Sequence, residues 1–191
     1  MILATRNQHK LRELAEILPL ELRPLPDEVE LPPEAGDTFE ANALIKARAA
    51  AAATGEAVIA DDSGIEAAAL GGRPGVQSAR YAGPDASDQE NLDKLLREVA
   101  ANGGDRRAAY VCVIALVDGD SEATFEGRCE GRLIERPRGS GGFGYDPAFV
   151  PDDTGPGDER TMAELSPAEK HAISHRGRAA GLLARHLEAG P

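Results

Sequence analysis

"AAYVCVIALV" (residues 108–117), "DGD" (118–120) and "EATFEGRCEGRLI" (122–134) decide what kind of sheet this chain can build. The first run is apolar, the middle triplet is turn chemistry, and the last run is strand-like again. Together they read as a β-hairpin or meander. Upstream the pattern differs. "MILAT" (1–5) reads as a short buried strand, and "NQHKLRELAEIL" (7–18) as a helix with Leu11, Leu14, Ala15 and Leu18 on one face and Asn7 as its cap. The proline-rich stretch 19–36 forbids a continuous helix and is a strand-and-loop crossover. "DTFEANALIKARAAAAATG" (37–55) is a second helix, capped by Asp37 or Thr38 and closed by Gly55, and "AVIA" (57–60) a short strand that ends in "DDSG". Strands alternating with helices and then pairing with each other predict an α/β protein with a mixed central sheet flanked by helices.

Two further helices follow from capping signals. Ser87 and Glu90 bracket the start of one that turns Leu92, Leu95, Leu96 and Val99 inward, and Ser166, Pro167 and Glu169 open the last. Residues 151–159 read as an exposed loop. The 191 residues suit one domain, 1–191, with room for two lobes. A net charge of −12 with no basic stretch argues against nucleic acid as a partner. No apolar run approaches the roughly 20 residues that span a bilayer, and the N-terminus lacks a signal-peptide pattern, so no membrane role is expected. Cys112 and Cys129, in apparent strands without metal spacing, read as reduced thiols of a cytoplasmic protein.

Several stretches could carry chemistry. "ATRNQHK" (4–10) can offer backbone N–H groups, a hydroxyl, an amide and an ammonium to an anion, although taken alone it reads better as a capped helix start. In "ADDSG" (60–64) two adjacent acids at a strand end are costly unless solvated, hydrogen-bonded or bound to a cation. Neighbours on a strand point opposite ways, so one of Asp61 and Asp62 faces a ligand, and the other is free to form an Asx-turn. Oxygen donors of this kind suit Mg²⁺; Glu34 is a candidate second ligand, or a plain solvated acid. "EKHAISHRG" (169–177) places His171 and His175 at zinc-pair spacing without a third ligand, and presents Ser174, His175 and Arg176 at a helix break. "GSGGFGYDPAF" (139–149) admits a phosphate loop, a bland turn or a pocket for a flat ligand. Lysine is scarce, with Lys10, Lys46, Lys94 and Lys170 against 17 arginines, which marks positions needing a compact, rotatable charge; Lys94 reads as surface scatter.

In series, "LATRNQHKLRE", "FEANALIKARAAA", "ADDSGIEAAALGGRPGVQSARYAG", "GFGYDPAF", "TMAEL" and "EKHAISHRG" resemble the inosine triphosphate pyrophosphatase family over essentially the whole chain. The resemblance implies an elongated sheet with two lobes around a nucleotide cleft, a homodimer, and Mg²⁺-dependent hydrolysis of non-standard purine nucleoside triphosphates to monophosphate and pyrophosphate. It places Thr5, Asn7, Lys10 and Lys46 at the phosphates, with Arg6 adding charge beside them. Asp62 becomes proton acceptor and metal ligand, Glu34 a second metal ligand, and Ser63 a substrate contact. Phe143, Gly144, Tyr145, Asp146, Lys170, His175 and Arg176 become purine-binding positions. The glycines of 139–144 would let the backbone approach the base, with Phe143 or Tyr145 as stacking face and Asp146 as acceptor. One departure is Ala41, where relatives often carry Glu, with Glu40 one residue earlier. Two rival readings stay open at this stage: a non-catalytic purine-nucleotide sensor, and a pyrophosphatase for modified pyrimidine nucleotides.

Overall fold

The computed structural model describes residues 1–189; the last two residues of the expected domain lie outside the described residues. Six strands form one sheet in the order β2-β1-β3-β4-β5-β6: β1 Ile2–Leu3, β2 Arg23–Pro24, β3 Val58–Ala67, β4 Arg107–Asp118, β5 Ser121–Leu133 and β6 Phe149–Pro151. β1 runs parallel to β2 and β3, with Ile2 opposite Arg23 and Val58, while β6 runs antiparallel to β5 with Phe149 opposite Leu133. The sheet is mixed, as the alternation and hairpin patterns predict. β4 is buried without interruption from Ala108 to Val117, which is why its sequence is a continuous apolar run.

The helices are α1 Gln8–Ile17, α2 Phe39–Thr54, α3 Asp88–Ala101, α4 Pro167–Ile173 and α5 His175–Ala189. Their ends follow the sequence signals. Asn7 Oδ1 accepts from the N–H groups of His9 (2.9 Å) and Lys10 (3.2 Å), Thr38 caps α2, and Gly55 ends α2 in the left-handed region at φ 69°. Ser87–Glu90 and Ser166–Glu169 form complete capping boxes. α4 stops because Ser174 is extended (φ −67°, ψ 156°), so His175 begins a new helix.

The chain divides into two compact units. One holds Met1–Asp62, Cys112–Gly127 and the chain from Arg176 onward; the other holds Ser63–Val111 and Arg128–His175. The first packs Leu3, Leu14, Ile59, Cys112, Ile114 and Leu183 into its core. The second packs Ile65, Leu92, Leu95, Tyr110, Tyr145, Phe149 and Met162.

Three sequence expectations need correcting. β3 does not stop at Ala60 but runs on to Ala67, so Asp61 and Asp62 lie inside a strand. Pro151 belongs to β6, and a short 3₁₀ turn, Asp152–Thr154, follows it. Lys94 is not surface scatter: its ammonium donates to the Tyr81 carbonyl at 2.6 Å and lies 4.3 Å from the centre of the Tyr81 ring. No helix among the described residues is long and apolar enough to cross a membrane.

Candidate active site

In the first unit the pleat of β3 sends two adjacent acids to different partners. The Asp61 side chain is wholly buried, with Lys10 Nζ at 2.9 Å and Arg176 Nη2 at 3.5 Å from Oδ2. Arg176 is itself buried and donates to Glu13 at 2.5 Å. Burial opposes the charge on Asp61, but Lys10, Arg176 and Lys46 outweigh it and hold its pKa well below the usual carboxylate range. Burial first, and the Asp61 charge next, push the Cys112 thiol, whose sulfur lies 4.0 Å from Asp61, up to about 12. Asp61 is therefore a committed counter-ion.

Asp62 is held differently. Asn42 Nδ2 donates to its Oδ2 at 3.0 Å, and Lys46 Nζ stands 3.6 Å from Oδ1. Lys46 also donates to Glu34 at 2.6 Å, so one ammonium touches both carboxylates. Burial raises the pKa of Asp62, Glu34 raises it further, and Lys46 only partly offsets them. Burial works against the Lys46 charge, yet Asp61, Asp62 and Glu34 together carry its pKa above the ordinary value.

Among the described residues no group of three His, Cys, Asp or Glu gathers as a metal cage. Two carboxylates around a bound cationic group, Lys46, are nonetheless a donor set of the kind Mg²⁺ takes when a ligand's phosphates complete its shell.

Around this core the other first-unit residues divide. Thr5 Oγ1 accepts from Asn7 N–H at 3.1 Å, and Asn7 spends its oxygen on the helix cap. Arg6, expected to add charge at the phosphates, instead donates to the carbonyls of Leu25 (2.9 Å), Pro26 (2.8 Å), Asp27 (3.3 Å) and Val29 (2.8 Å) and clamps that loop. Arg176, expected at the purine, has its guanidinium on Asp61 and Glu13. Glu40, one residue before Ala41, accepts from the Thr124 hydroxyl at 2.9 Å.

The second unit carries Ser63, half-buried on β3, and gathers the remaining residues around Asp146, which is buried. Its Oδ2 accepts from Lys170 Nζ at 2.8 Å and from Phe143 N–H at 2.9 Å; its Oδ1 accepts from the Tyr110 hydroxyl at 3.1 Å. Lys170 Nζ also lies 5.2 Å from the centre of the Phe143 ring. Tyr145 is not a free stacking face. Its ring is buried and its hydroxyl donates to the Ser78 carbonyl at 2.6 Å, which leaves half-buried Phe143 as the ring on offer. Gly144 N–H donates to Asp88 at 2.8 Å. Gly139 and Gly142 serve internal packing: a Cβ at Gly139 would stand 2.6 Å from the Ala163 backbone, and one at Gly142 would collide with the Asp146 carboxylate, whereas Gly144 borders open space. His175 stacks on Tyr110, with ring centres 4.6 Å apart and planes 7° from parallel.

The chain as a whole has known counterparts. The sequence profile of the Ham1 family matches residues 1–186. The chain belongs to the Ham1 family. A HAM1 protein from Coxiella burnetii has a similar structure, with a TM-score of 0.88 and 44% identity over 99% of this chain and 98% of that one. The crystal structure of a nucleoside-triphosphatase / dITP/XTP pyrophosphatase from Mycobacterium abscessus gives a TM-score of 0.77 and 45% identity over 97% and 98% of the two chains. The dITP/XTP pyrophosphatase of Mycobacterium tuberculosis is 51% identical over 96% of this chain and 92% of its own length. That of Geobacter sulfurreducens is 49% identical over 98% and 96%. Both the mixed α/β fold and the family expected from the serial motifs are thereby borne out.

Within this Ham1 chain, four residues that matter to the geometry escaped the sequence reading. Asn42 and Glu13 look like ordinary helix polar residues, and only burial or pairing marks them. For the acid of the pair that does not face a ligand, the sequence suggests only an Asx-turn, whereas Asp61 pairs with Lys10 and Arg176. Tyr110 hides in an apolar run, although a phenol in a buried strand must find an acceptor, and that is a usable signal.

Proposed function

We propose that this Ham1 chain is a nucleoside triphosphate pyrophosphatase that hydrolyses non-standard purine nucleotides (dITP, ITP and XTP) to the monophosphate and pyrophosphate. It would do so with Mg²⁺, as a homodimer of the cytoplasm, keeping the nucleotide pool clean. The relatives at about half identity named dITP/XTP pyrophosphatase support the substrate class. One observation carries the chemistry: Asp62 is a buried carboxylate of raised pKa, flanked by Lys46 and Glu34.

Water attacks the α-phosphorus in line, its oxygen forms the new P–O bond, and the bond to the bridging oxygen of pyrophosphate breaks. Asp62 orients or deprotonates that water, and Asn42 and Lys46 hold the side chain in place to do so. Asn42 fixes the carboxylate by holding Oδ2. Lys46 and Lys10 offer ammonium charge to the departing phosphates; each ammonium has three donors, so the bond to Glu34 or Asp61 leaves others available. Thr5 and Asn7 are assigned to the phosphates with them. Mg²⁺, held by Glu34 and Asp62, would supply further neutralisation of phosphate charge. The second unit supplies purine recognition: Phe143 as a stacking face, His175 as donor to the 6-oxo group, and Asp146 as the anchor that holds Lys170 and the 143–146 loop in place. Ser63 and the backbone at Gly144 and Tyr145 complete the proposed substrate contacts. On this reading 1–191 is one functional domain.

The test is pyrophosphate release from ITP, XTP, GTP and ATP, with and without Mg²⁺. Turnover should favour ITP and XTP and require the cation. Asp62→Asn should lower kcat by about 10²–10⁴-fold while ITP still binds. Near-normal turnover in that variant removes Asp62 from the role, and equal turnover of ATP and ITP removes the purine reading.

A further inference from the structure

Two of the groups assigned to the purine meet on one residue that has no assigned role. Tyr110, on β4, is buried, and its ring lies parallel to the His175 imidazole at 4.6 Å with 7° between planes. Its hydroxyl donates to Asp146 Oδ1 at 3.1 Å, while Asp146 Oδ2 takes Lys170 and the Phe143 N–H. Tyr110 is itself held edge-on by the fully buried Phe149, with ring centres 4.7 Å apart and planes at 64°. The chain Phe149–Tyr110–His175 is thus a fixed stack with a polar tip on the anchor of the base loop.

We infer that Tyr110 is a specificity-determining positioning residue, whose ring sets the plane of His175 and whose hydroxyl sets Asp146. The inference rests on the functional reading above, in which His175 meets the purine 6-oxo group. An imidazole N–H lies in the ring plane, so a hydrogen bond to an oxo oxygen requires that plane to be set before the substrate arrives. A ring free to turn about its side-chain bonds loses freedom on binding and can swing to present its other nitrogen, as acceptor, to a 6-amino group. A stacked ring does neither. Rejection of a 6-amino purine depends on a donor that stays a donor at a fixed point. An aliphatic side chain at position 110 would fill the space but neither stack nor donate. The aromatic and polar functions of tyrosine are therefore separable.

Tyr110→Phe and Tyr110→Leu test them in the full-length chain. Pyrophosphate release from ITP and from ATP gives the selectivity, and the chemical shift of the His175 ring proton reports the stack through its ring current. Tyr110→Phe should keep the shifted resonance and raise KM for ITP about 3- to 10-fold, with a smaller effect on kcat, because Asp146 loses one donor. Tyr110→Leu should lose the ring-current shift and lower the ITP-to-ATP ratio of kcat/KM by about tenfold or more. An unmoved His175 resonance in Tyr110→Leu overturns the inference, as does an ITP-to-ATP ratio within about twofold of wild type. If the Leu variant fails to fold, Tyr110→Phe decides, and an unchanged KM overturns the link to Asp146. A wild-type chain that releases no pyrophosphate from ITP refutes the functional reading instead; the His175 resonance then still decides whether Tyr110 positions the ring.

Discussion

Replacing Asp61 with Asn removes one charge from a buried cluster without changing its shape. Lys10 at 2.9 Å and Arg176 at 3.5 Å lose their shared counter-ion, while the buried Arg176 keeps its bond to Glu13. Breaking a buried pair from one side costs about 3–5 kcal/mol, since the remaining charge is stranded away from water. Asn keeps an acceptor oxygen, so the lower end applies: about 3 kcal/mol, or about 6–12 °C in Tm for a chain of this length. The loss depends on pH in a defined direction. The folded pKa of Asp61 is depressed, so its contribution is fully present above the unfolded value of about 3.9 and is lost as pH falls through the folded value. Urea denaturation of both proteins at pH 7 and at pH 3 should show the gap at neutral pH and a narrower gap in acid. A gap under about 1 kcal/mol at pH 7, or one that stays constant down to pH 3, refutes Asp61 as counter-ion.

Lys46→Met should lower kcat by about 10²–10³-fold. In the metal-free protein it should also raise the Asp62 pKa further, read by NMR titration of the carboxyl, since Lys46 is the main charge pulling that pKa back down. Gly142→Ala places a methyl group on the Asp146 carboxylate at a φ of +68°; it should cost about 1–3 kcal/mol of stability by thermal melting and raise KM for ITP more than it lowers kcat. Arg6→Ala should free the carbonyls of residues 25–29, with a loss of about 1 kcal/mol and faster amide exchange confined to that loop.

Local rules carried the sequence reading wherever local chemistry decides. Asn7, Ser87, Ser166 and Gly55 mark helix ends because capping involves only residues a few positions apart. The hairpin was legible for the same reason. What escaped depends on partners far along the chain. β3 read as ending before Asp61 because two buried acids are costly, yet Lys10, Lys46 and Arg176 arrive from distant positions to offset that cost. Arg176, expected at the substrate from the helix break and the family resemblance, pairs its guanidinium here with Glu13 and Asp61, partners far along the chain. Tyr145 read as a stacking ring, and the core claimed it. The glycines of 139–144 read as room for a ligand, whereas Gly139 and Gly142 make room for Ala163 and Asp146. Lysine scarcity remained a good guide: Lys10, Lys46 and Lys170 each meet a carboxylate within 3 Å.

The alternation of Asp61 and Asp62 along β3 has a consequence for how this chain can vary. A shift of the strand by a single residue would exchange the two environments, sending Asp62 to Lys10 and Arg176 and Asp61 to Asn42 and Lys46. Lengthening or shortening the loop before Val58 is harmless to the chemistry only while Ile2 and Leu3 keep Val58 and Ile59 as their neighbours. That short parallel pairing is thus the ruler by which the enzyme tells its two adjacent aspartates apart.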